Sequence, residues 1–411
     1  MNKDRRILWI AWILVSFFYA YQYILRVMPS ILMEDIVKKF SLTPHAFGQF
    51  SGVYYLGYAL MHLPIGIFLD RFGPKNVLPL LIACTSIGLL PILYAESFVY
   101  PILGRVLIGI GSSGAILGIF KVLHLYFEPQ KFSRFLSFSV MIGLFGAIYG
   151  GAPIHFAREQ FGFENVVFSL ILVSAVLAIL TYILMPRNPA PLEKRSVAQN
   201  LKNVFSNKPL WILCLVSGFM VGPLEGFADV WGVQFLKIFH ELTESVAAGL
   251  PSWIFIGMCV GSPILNFIVE KTAKPLHVVL SCGITMALAF ILLLTVKMSA
   301  PVLSILFFIV GVCSAYQVLM FYQVSTYLAQ ADKTMSSVAA NMIIMIFGYA
   351  FHSTIGKSIS WIAHQKGVDG FHDPAILVTG IAIIPLALIC ACLALAWFML
   401  RSSSRSHSLV Q

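Results

Sequence analysis

The sequence predicts an all-α membrane protein of twelve transmembrane helices in two pseudo-symmetric six-helix bundles. Three observations carry that prediction. Of the 411 residues, 59% are hydrophobic and only 11% charged, whereas a soluble domain carries about 25% charged and 45–50% apolar residues. The apolar residues gather into twelve runs, each near the roughly 20 residues a helix needs to cross hydrocarbon. Finally, the stretch around residue 70 returns in altered form around residue 270.

In order, the runs occupy 8–33, 46–69, 76–94, 98–125, 135–156, 165–186, 209–236, 246–268, 277–296, 301–329, 336–363 and 374–400. Backbone N–H and C=O groups find no water in hydrocarbon, so each run is read as a helix. None alternates as the strands of a transmembrane barrel do. The first run opens "MNKDRRILWIAWILV". No small-x-small cleavage site follows and the apolar stretch continues too far for a signal peptide, so it is the first span. Runs longer than 24 residues are expected to tilt or to extend past the bilayer.

Between the sixth and seventh runs lies "PRNPAPLEKRSVAQNLKNVFSNKP", with four prolines and a basic cluster. It reads as a linker. The expected organisation is therefore an N-terminal bundle over 1–186, a linker over 187–208, a C-terminal bundle over 209–400 and a tail over 401–411. The net charge of +10 follows the positive-inside pattern rather than a nucleic-acid surface. With both termini cytoplasmic, the inner segments hold most of the 27 Lys and Arg, among them Lys3, Arg5, Arg6, Lys131, Arg134, Arg187, Lys194, Arg195, Lys202, Lys208, Arg401 and Arg405. The outer loops hold Lys38, Lys39, Arg158, Lys237, Lys297 and Lys366. The seven cysteines all fall in spans, without metal-ligand or disulfide spacing.

At an offset of 200, "LGYALMHLPIGIFLDRFGPKNVL" faces "IGMCVGSPILNFIVEKTAKPLHVV", aligning Gly57 with Gly257, Asp70 with Glu270 and Arg71 with Lys271. This is the mark of a duplicated chain. Parallel halves of this kind are one architecture of secondary transporters, which hold solute near the bilayer midplane.

The decapeptide Gly66-Ile-Phe-Leu-Asp70-Arg71-Phe-Gly73-Pro-Lys75 resembles the signature loop of the major facilitator superfamily, and the six-plus-six layout extends that resemblance over nearly the whole chain. In the fourth span, "GRVLIGIGSSG" is similar to the family's Arg-plus-glycine motif, through Arg105, Gly109 and Gly111. The fifth span departs from the Gly-Pro-x-x-Gly-Gly stretch of the family's drug–proton antiporters, reading "GAIYGGAP" instead, which weakens an exporter reading. The resemblance implies a transporter working by alternating access. Gly66, Asp70, Arg71, Gly73 and Lys75, with Glu270 and Lys271 in the second half, then form a gating motif. Asp70 is expected to pair with Arg71 or to meet the positive N-terminal end of a neighbouring helix, a contact made in one packing and broken in another. The alternative is a charged stop that only anchors the turn.

Ionisable residues inside a span cost about 2.5–3.5 kcal/mol on insertion scales and mark function by default. Apart from the loop-end pairs there are Arg26, Arg105, Lys121, Glu225, Asp229 and Lys357. Arg26 belongs to "YAYQYILRVMPS", where Tyr19, Gln22, Tyr23 and Arg26 share one helical face. Such a stripe suits a watered path, the alternative being an arginine that snorkels to headgroups. In the seventh span, Glu225 and Asp229 lie four apart in "GPLEGFADVWG" and bracket position 226, the repeat counterpart of Arg26. One half thus offers a cation and the other offers acids. That suits a zwitterion, with the planar guanidinium on its carboxylate; the alternative is an internal Arg26–Asp229 ion pair. Two neighbouring acids raise a carboxyl pKa, which makes Glu225 and Asp229 candidates for proton coupling. Lys121 is a candidate for substrate contact or an inner gate. Tyr316, Gln317 and Gln323 give the tenth span a polar face. Arg105 is expected to support packing, and His62, His352 and Lys357 to be buried structural groups. Gly109-Ile-Gly111-Ser-Ser-Gly114 matches G-x-G-x-x-G, but it lies in an apolar span without the βαβ context of a dinucleotide site; small residues for close helix approach explain it.

The expected function is secondary active or facilitative transport of a small polar solute bearing a carboxylate, an amino acid or short peptide being favoured, with proton symport as one option. The first alternative is an organic anion, sugar acid or siderophore held by Arg26 and Lys121; the second is export of amphiphiles. No catalytic triad, metal set or GxxxxGK[ST] loop occurs, so neither an enzyme nor a cofactor is expected. The expected partners are the solute, the bilayer and protons, not nucleic acid. A monomer in a bacterial inner membrane is expected.

Overall fold

The computed structural model describes residues 3–186, 207–326 and 333–407. Nearly all of the linker read at 187–208 lies outside the described residues, as do the last four residues of the tail. The chain divides into two compact units, Met1–Lys194 and Arg195–Gln411. Among the described residues every regular element is helical.

The first unit holds α1 (Leu8–Ile31), α2 (Pro44–Phe72), α3 (Pro74–Tyr94), α4 (Val99–Tyr126), α5 (Arg134–Tyr149 with Ala152–Phe161) and α6 (Phe163–Leu184). The second holds α7 (Lys208–Ile238), α8 (Glu244–Thr272), α9 (Pro275–Thr295), α10 (Ala300–Val324), α11 (Val338–Lys366) and α12 (Pro374–Arg401). Eleven of these are long and apolar enough to cross a membrane, and α5 makes the twelfth if its two pieces form one span. Those pieces meet at 42°, at Gly150 and Gly151 just before Pro153, the glycine–proline break that kinks helices. Starts follow local chemistry. Thr43 accepts the Ala46 N–H at 3.2 Å, Asn207 the Leu210 N–H at 3.1 Å and Asp373 the Ile376 N–H at 3.0 Å, each before a proline early in the helix. The side chain satisfies an orphan amide, and proline lacks the one that would be orphaned. At the far end, helix continues through Arg401 to His407, so most of the expected tail is helical.

The duplication is visible in the backbone. Left-handed or otherwise positive φ values occur at Ser41 (51°) and Glu241 (56°), at Gly73 (78°) and Ala273 (52°), and at Gly162 (82°) and Gly367 (66°), the first two pairs at the repeat offset of 200. Both α4 and α10 break at matching positions, Ser113 and Ala315. Close packing matches too. A Cβ on Gly109 would overlap the Tyr54 carbonyl oxygen, and one on Gly311 the carbonyl oxygen of Ile254, the residue 200 positions beyond Tyr54. Gly57 meets the Val106 carbonyl as Gly257 meets that of Phe308. So α2 lies on α4, and α8 on α10, backbone to backbone, as small residues permit in lipid.

One element differs from the sequence expectation. Within α7, Gly222–Trp231 winds as a π-helix, with the Gly232 N–H reaching back five residues to the Phe227 carbonyl. Pro223 has no amide hydrogen to give the preceding turn, and the wider winding begins beside it.

The turn after the second span of each half gives a matched test. Gly73, at φ 78° and ψ 164°, occupies a region essentially reserved for glycine. Ala273, at φ 52° and ψ 25°, sits in the left-handed well, which costs an L residue about 1–2 kcal/mol. Gly73→Ala is expected to lower the Tm of the purified protein and Ala273→Gly to raise it, as read by differential scanning fluorimetry.

Candidate functional site

In the first unit, the stripe on α1 meets a tyrosine pair on α2. Arg26, only 5% exposed, donates from Nε to the Tyr55 hydroxyl at 3.0 Å. Its guanidinium lies over the rings of Tyr23 and Tyr55, at 5.2 and 5.1 Å from their centroids. Stacking on aromatic faces holds a delocalised cation that is weakly hydrated. Gln22, beside it, accepts the Tyr54 hydroxyl at 2.8 Å. Tyr19 is half-buried, edge-on to Tyr23 at 5.3 Å and packed over Gly143 of α5. Arg105, fully buried, reaches from α4 to donate to the Leu25 carbonyl of α1 at 2.8 Å, its guanidinium 5.0 Å from the Tyr54 ring and 5.4 Å from that of Phe50. Tyr54 thus faces both Gln22 and Arg105, and its neighbour Tyr55 holds Arg26. The sequence reading missed both tyrosines; the signal was a pair of polar-tipped rings inside an apolar span.

In the second unit, Glu225 and Asp229 are both buried on the π-helical stretch of α7. The stretch that carries both acids is wound more widely than an α-helix. Gly222 and Gly226 occupy another face, where a Cβ would press on Phe351 of α11. Phe227 packs against Phe290 of α9 and Phe307 of α10, at 5.2 and 5.6 Å.

The gating motif is organised differently from the expectation. Asp70 meets neither Arg71 nor a helix end but accepts a hydrogen bond from the ammonium of Lys121, at 2.7 Å. Lys121 comes from α4, and its side chain is 9% exposed against 71% for Asp70. This ties Lys121 to the signature loop. Arg71 lies over its neighbour Phe72 at 5.2 Å. Lys75 donates to the carbonyls of Tyr182 and Met185, at 2.9 and 2.7 Å, where the last turn of α6 leaves carbonyls without amides. A Cβ on Gly66 would meet no atom within 4 Å. Glu270 and Lys271 are exposed, the latter 4.5 Å from the Phe267 ring.

The polar face expected on α10 divides. Tyr316 is buried and donates to the Ser217 carbonyl of α7 at 2.7 Å, a clasp between helices of one unit. Gln317 is buried as well. Gln323 lies six residues on, about 120° away around the helix, and is half-buried. The shift of 202 that relates Gly109 to Gly311 carries Lys121 onto Gln323, so Gln323 occupies the position of Lys121 in its half. His62 is buried and stacks on Tyr58 at 5.2 Å, and His352 is buried. Lys357 is exposed, contrary to the expectation.

A family model described as Major Facilitator Superfamily matches residues 10–353. The chain belongs to this superfamily. It is a multi-pass membrane transporter of that family. Among relatives, the uncharacterized transporter YybO of Bacillus subtilis is 22% identical over 407 residues, covering 90% of each chain. The nitrate/nitrite transporter NrtP of a Picosynechococcus species is 32% identical over 108 residues, 26% of this chain and 18% of that one. The chloroplastic sodium-dependent phosphate transport protein 1 of Arabidopsis thaliana is 25% identical over 208 residues, 46% and 40% of the two chains. The matches thus span less than half the length of the latter two. Solved structures share the superfamily fold. A bacterial homolog of the human lysosomal transporter Spinster, inward-facing and unoccupied, superposes with a TM-score of 0.70 at 17% identity, over 97% of this chain and 96% of that one. The nucleoside transporter NupG gives 0.74 at 14% identity, over 97% and 99%.

The Asp70–Lys121 contact is testable by a double-mutant cycle. Because Asp70 is largely exposed, its expected coupling to Lys121 is only about 0.5–1 kcal/mol. Asp70→Asn, Lys121→Gln and the double variant are compared by chemical denaturation; strictly additive losses would show that the contact carries nothing.

Proposed function

We propose that this superfamily member moves a small anionic solute, a carboxylate or oxyanion, by alternating access, with Arg26 as its anion-binding group and Glu225 and Asp229 as proton carriers. The observation that carries this reading is the buried Arg26 guanidinium, fixed by two tyrosine rings and one hydroxyl. A planar cation held in place can offer two parallel N–H groups to the two oxygens of a carboxylate or oxyanion. Gln22 and Tyr23 complete the polar surroundings, and Arg105 adds a second buried positive charge to the same unit. The names of two relatives, a nitrate/nitrite transporter and a phosphate transport protein, point to anions as well.

The acids on α7 supply the coupling. Both are buried carboxyl groups in a span, so a proton taken up with the anion would travel on Glu225 or Asp229. The positive-inside distribution supports cytoplasmic termini in a bacterial inner membrane, and nothing in the reading needs more than one copy of the chain. The second reading is an amino acid or short peptide, its amine bound by Glu225 or Asp229. What favours it is the presence of buried acids in the second unit opposite in sign to Arg26.

Three measurements in proteoliposomes test these readings. A competition panel of inorganic oxyanions, organic anions and zwitterions is expected to show inhibition by the anions; inhibition by zwitterions alone would overturn the anion reading in favour of the second. Arg26→Lys keeps the charge and loses the planar fork, so uptake at limiting solute should fall roughly ten- to hundredfold, the worth of a charged hydrogen bond; unchanged uptake would remove Arg26 from the site. Glu225→Gln should abolish uphill uptake and retain exchange. Unaltered accumulation in that variant would rule out its role as proton carrier.

A further inference from the structure

At one end of the first unit, where α1 begins, α4 ends and α5 begins, a cavity of about 610 Å³ opens that the solute and gating residues do not use. Its walls are Trp9, Trp12, Phe127 and Phe135. The rings interlock edge-on or tilted, with Trp9 and Trp12 each 5.2 Å from Phe135, and Phe127 4.8 Å from it. The Trp12 indole N–H is already given to Ser139 Oγ at 2.8 Å, so it asks nothing of an occupant. At the rim stand Lys131 and Arg134. Lys131 is paired with Glu128 at 2.9 Å, but both side chains are about half exposed or more, at 47% and 66%. Such a pair is weak in water and open to exchange. The same end of α1 begins in sequence with Lys3, Arg5 and Arg6.

From the cavity an apolar track continues along both helices. Ile13 and Phe17 of α1 are 41% and 61% exposed, and Met141 and Phe145 of α5 are 44% and 60% exposed. On a membrane-spanning helix, large apolar side chains left open face hydrocarbon. The cavity therefore joins a cationic rim to an open apolar surface, and its tryptophans are of the residue type that gathers at membrane–water interfaces.

The geometry points to a binding site for one anionic phospholipid, its phosphate on Lys131 and Arg134 and its acyl chain running from the aromatic cavity along Ile13, Phe17, Met141 and Phe145. The charge at the rim selects the lipid class. Two cations against one acid leave a net positive edge, which favours a headgroup with net negative charge over a zwitterionic one. The continuous apolar track selects a lipid over a soluble organic phosphate, whose short body would leave that track uncovered. The site reads on binding alone and stands apart from the identity of the transported solute.

Tryptophan quenching by phospholipids with brominated acyl chains tests it, on the full chain in phosphatidylcholine nanodiscs. The part of the signal lost in a Trp9→Phe/Trp12→Phe variant reports the cavity. Brominated phosphatidylglycerol is expected to quench that part at a lower mole fraction than brominated phosphatidylcholine, by about fivefold for each basic side chain engaged. Lys131→Gln/Arg134→Gln, both at exposed positions, should erase the preference and leave quenching by phosphatidylcholine. Equal quenching by the two lipids in the unmodified chain would overturn the proposal, as would a preference that survives the double substitution. Relief of quenching by soluble glycerol phosphate would overturn it too, assigning the rim to a free headgroup.

Discussion

In lipid, apolar surface alone gives two helices no reason to associate, so contact depends on how closely their backbones can approach. The approach of α4 to α2 is the contact on which the first unit's interior rests. With no Cβ at Gly109 and Gly57, the Tyr54 carbonyl and the α4 backbone come within reach of each other. That distance sets Arg105 against the Tyr54 ring and lets it reach the Leu25 carbonyl on α1. The ring in turn holds its hydroxyl at Gln22, while Tyr55 next door holds Arg26. A bulkier residue at position 109 would separate the helices and loosen the lattice that fixes the Arg26 guanidinium.

The second unit keeps this skeleton and changes its chemistry. The contact between Gly311 and Ile254 reproduces that between Gly109 and Tyr54. Yet Phe307 stands where Arg105 does, and it packs on Phe227 rather than on a carbonyl. Gln323 stands at the position of Lys121, so the second unit carries an uncharged side chain where the first carries the cation that meets Asp70. Duplication preserved the helix contacts, which backbone geometry enforces. It left the polar positions open to diverge into a cationic half and an acidic half.

Much of the fold was legible because the bilayer imposes it. Run lengths followed hydrocarbon thickness, and the apolar runs that open at 46, 209 and 374 begin within two residues of the helices starting at Pro44, Lys208 and Pro374. Arg26, Glu225 and Asp229 were legible as charges in oil. Partners were not. Asp70 lies 51 residues from Lys121, and nothing local to either predicts that α2 and α4 bring them together. For Asp70 the sequence offers the adjacent Arg71 or the positive end of an unspecified neighbouring helix, because a linear chain displays adjacency and not tertiary partners. The polar face on α10 failed for a geometric reason, since six residues are not a whole number of turns. Lys357 failed because an apolar neighbourhood in sequence does not say which side of a helix meets other helices. Nor did Gly222-Pro223 announce a π-helix, since the same pair also begins ordinary helical turns.

That loosely wound stretch of α7 has a mechanical meaning. A turn closed by five-residue bonds holds more chain than one closed by four, so it stores slack inside an unbroken helix. Taking up the slack in any one turn rotates everything beyond it about the axis, without exposing a bare amide to hydrocarbon. Glu225 and Asp229 lie inside this stretch, so such a rewinding would turn both carboxyl groups relative to the part of the helix before them.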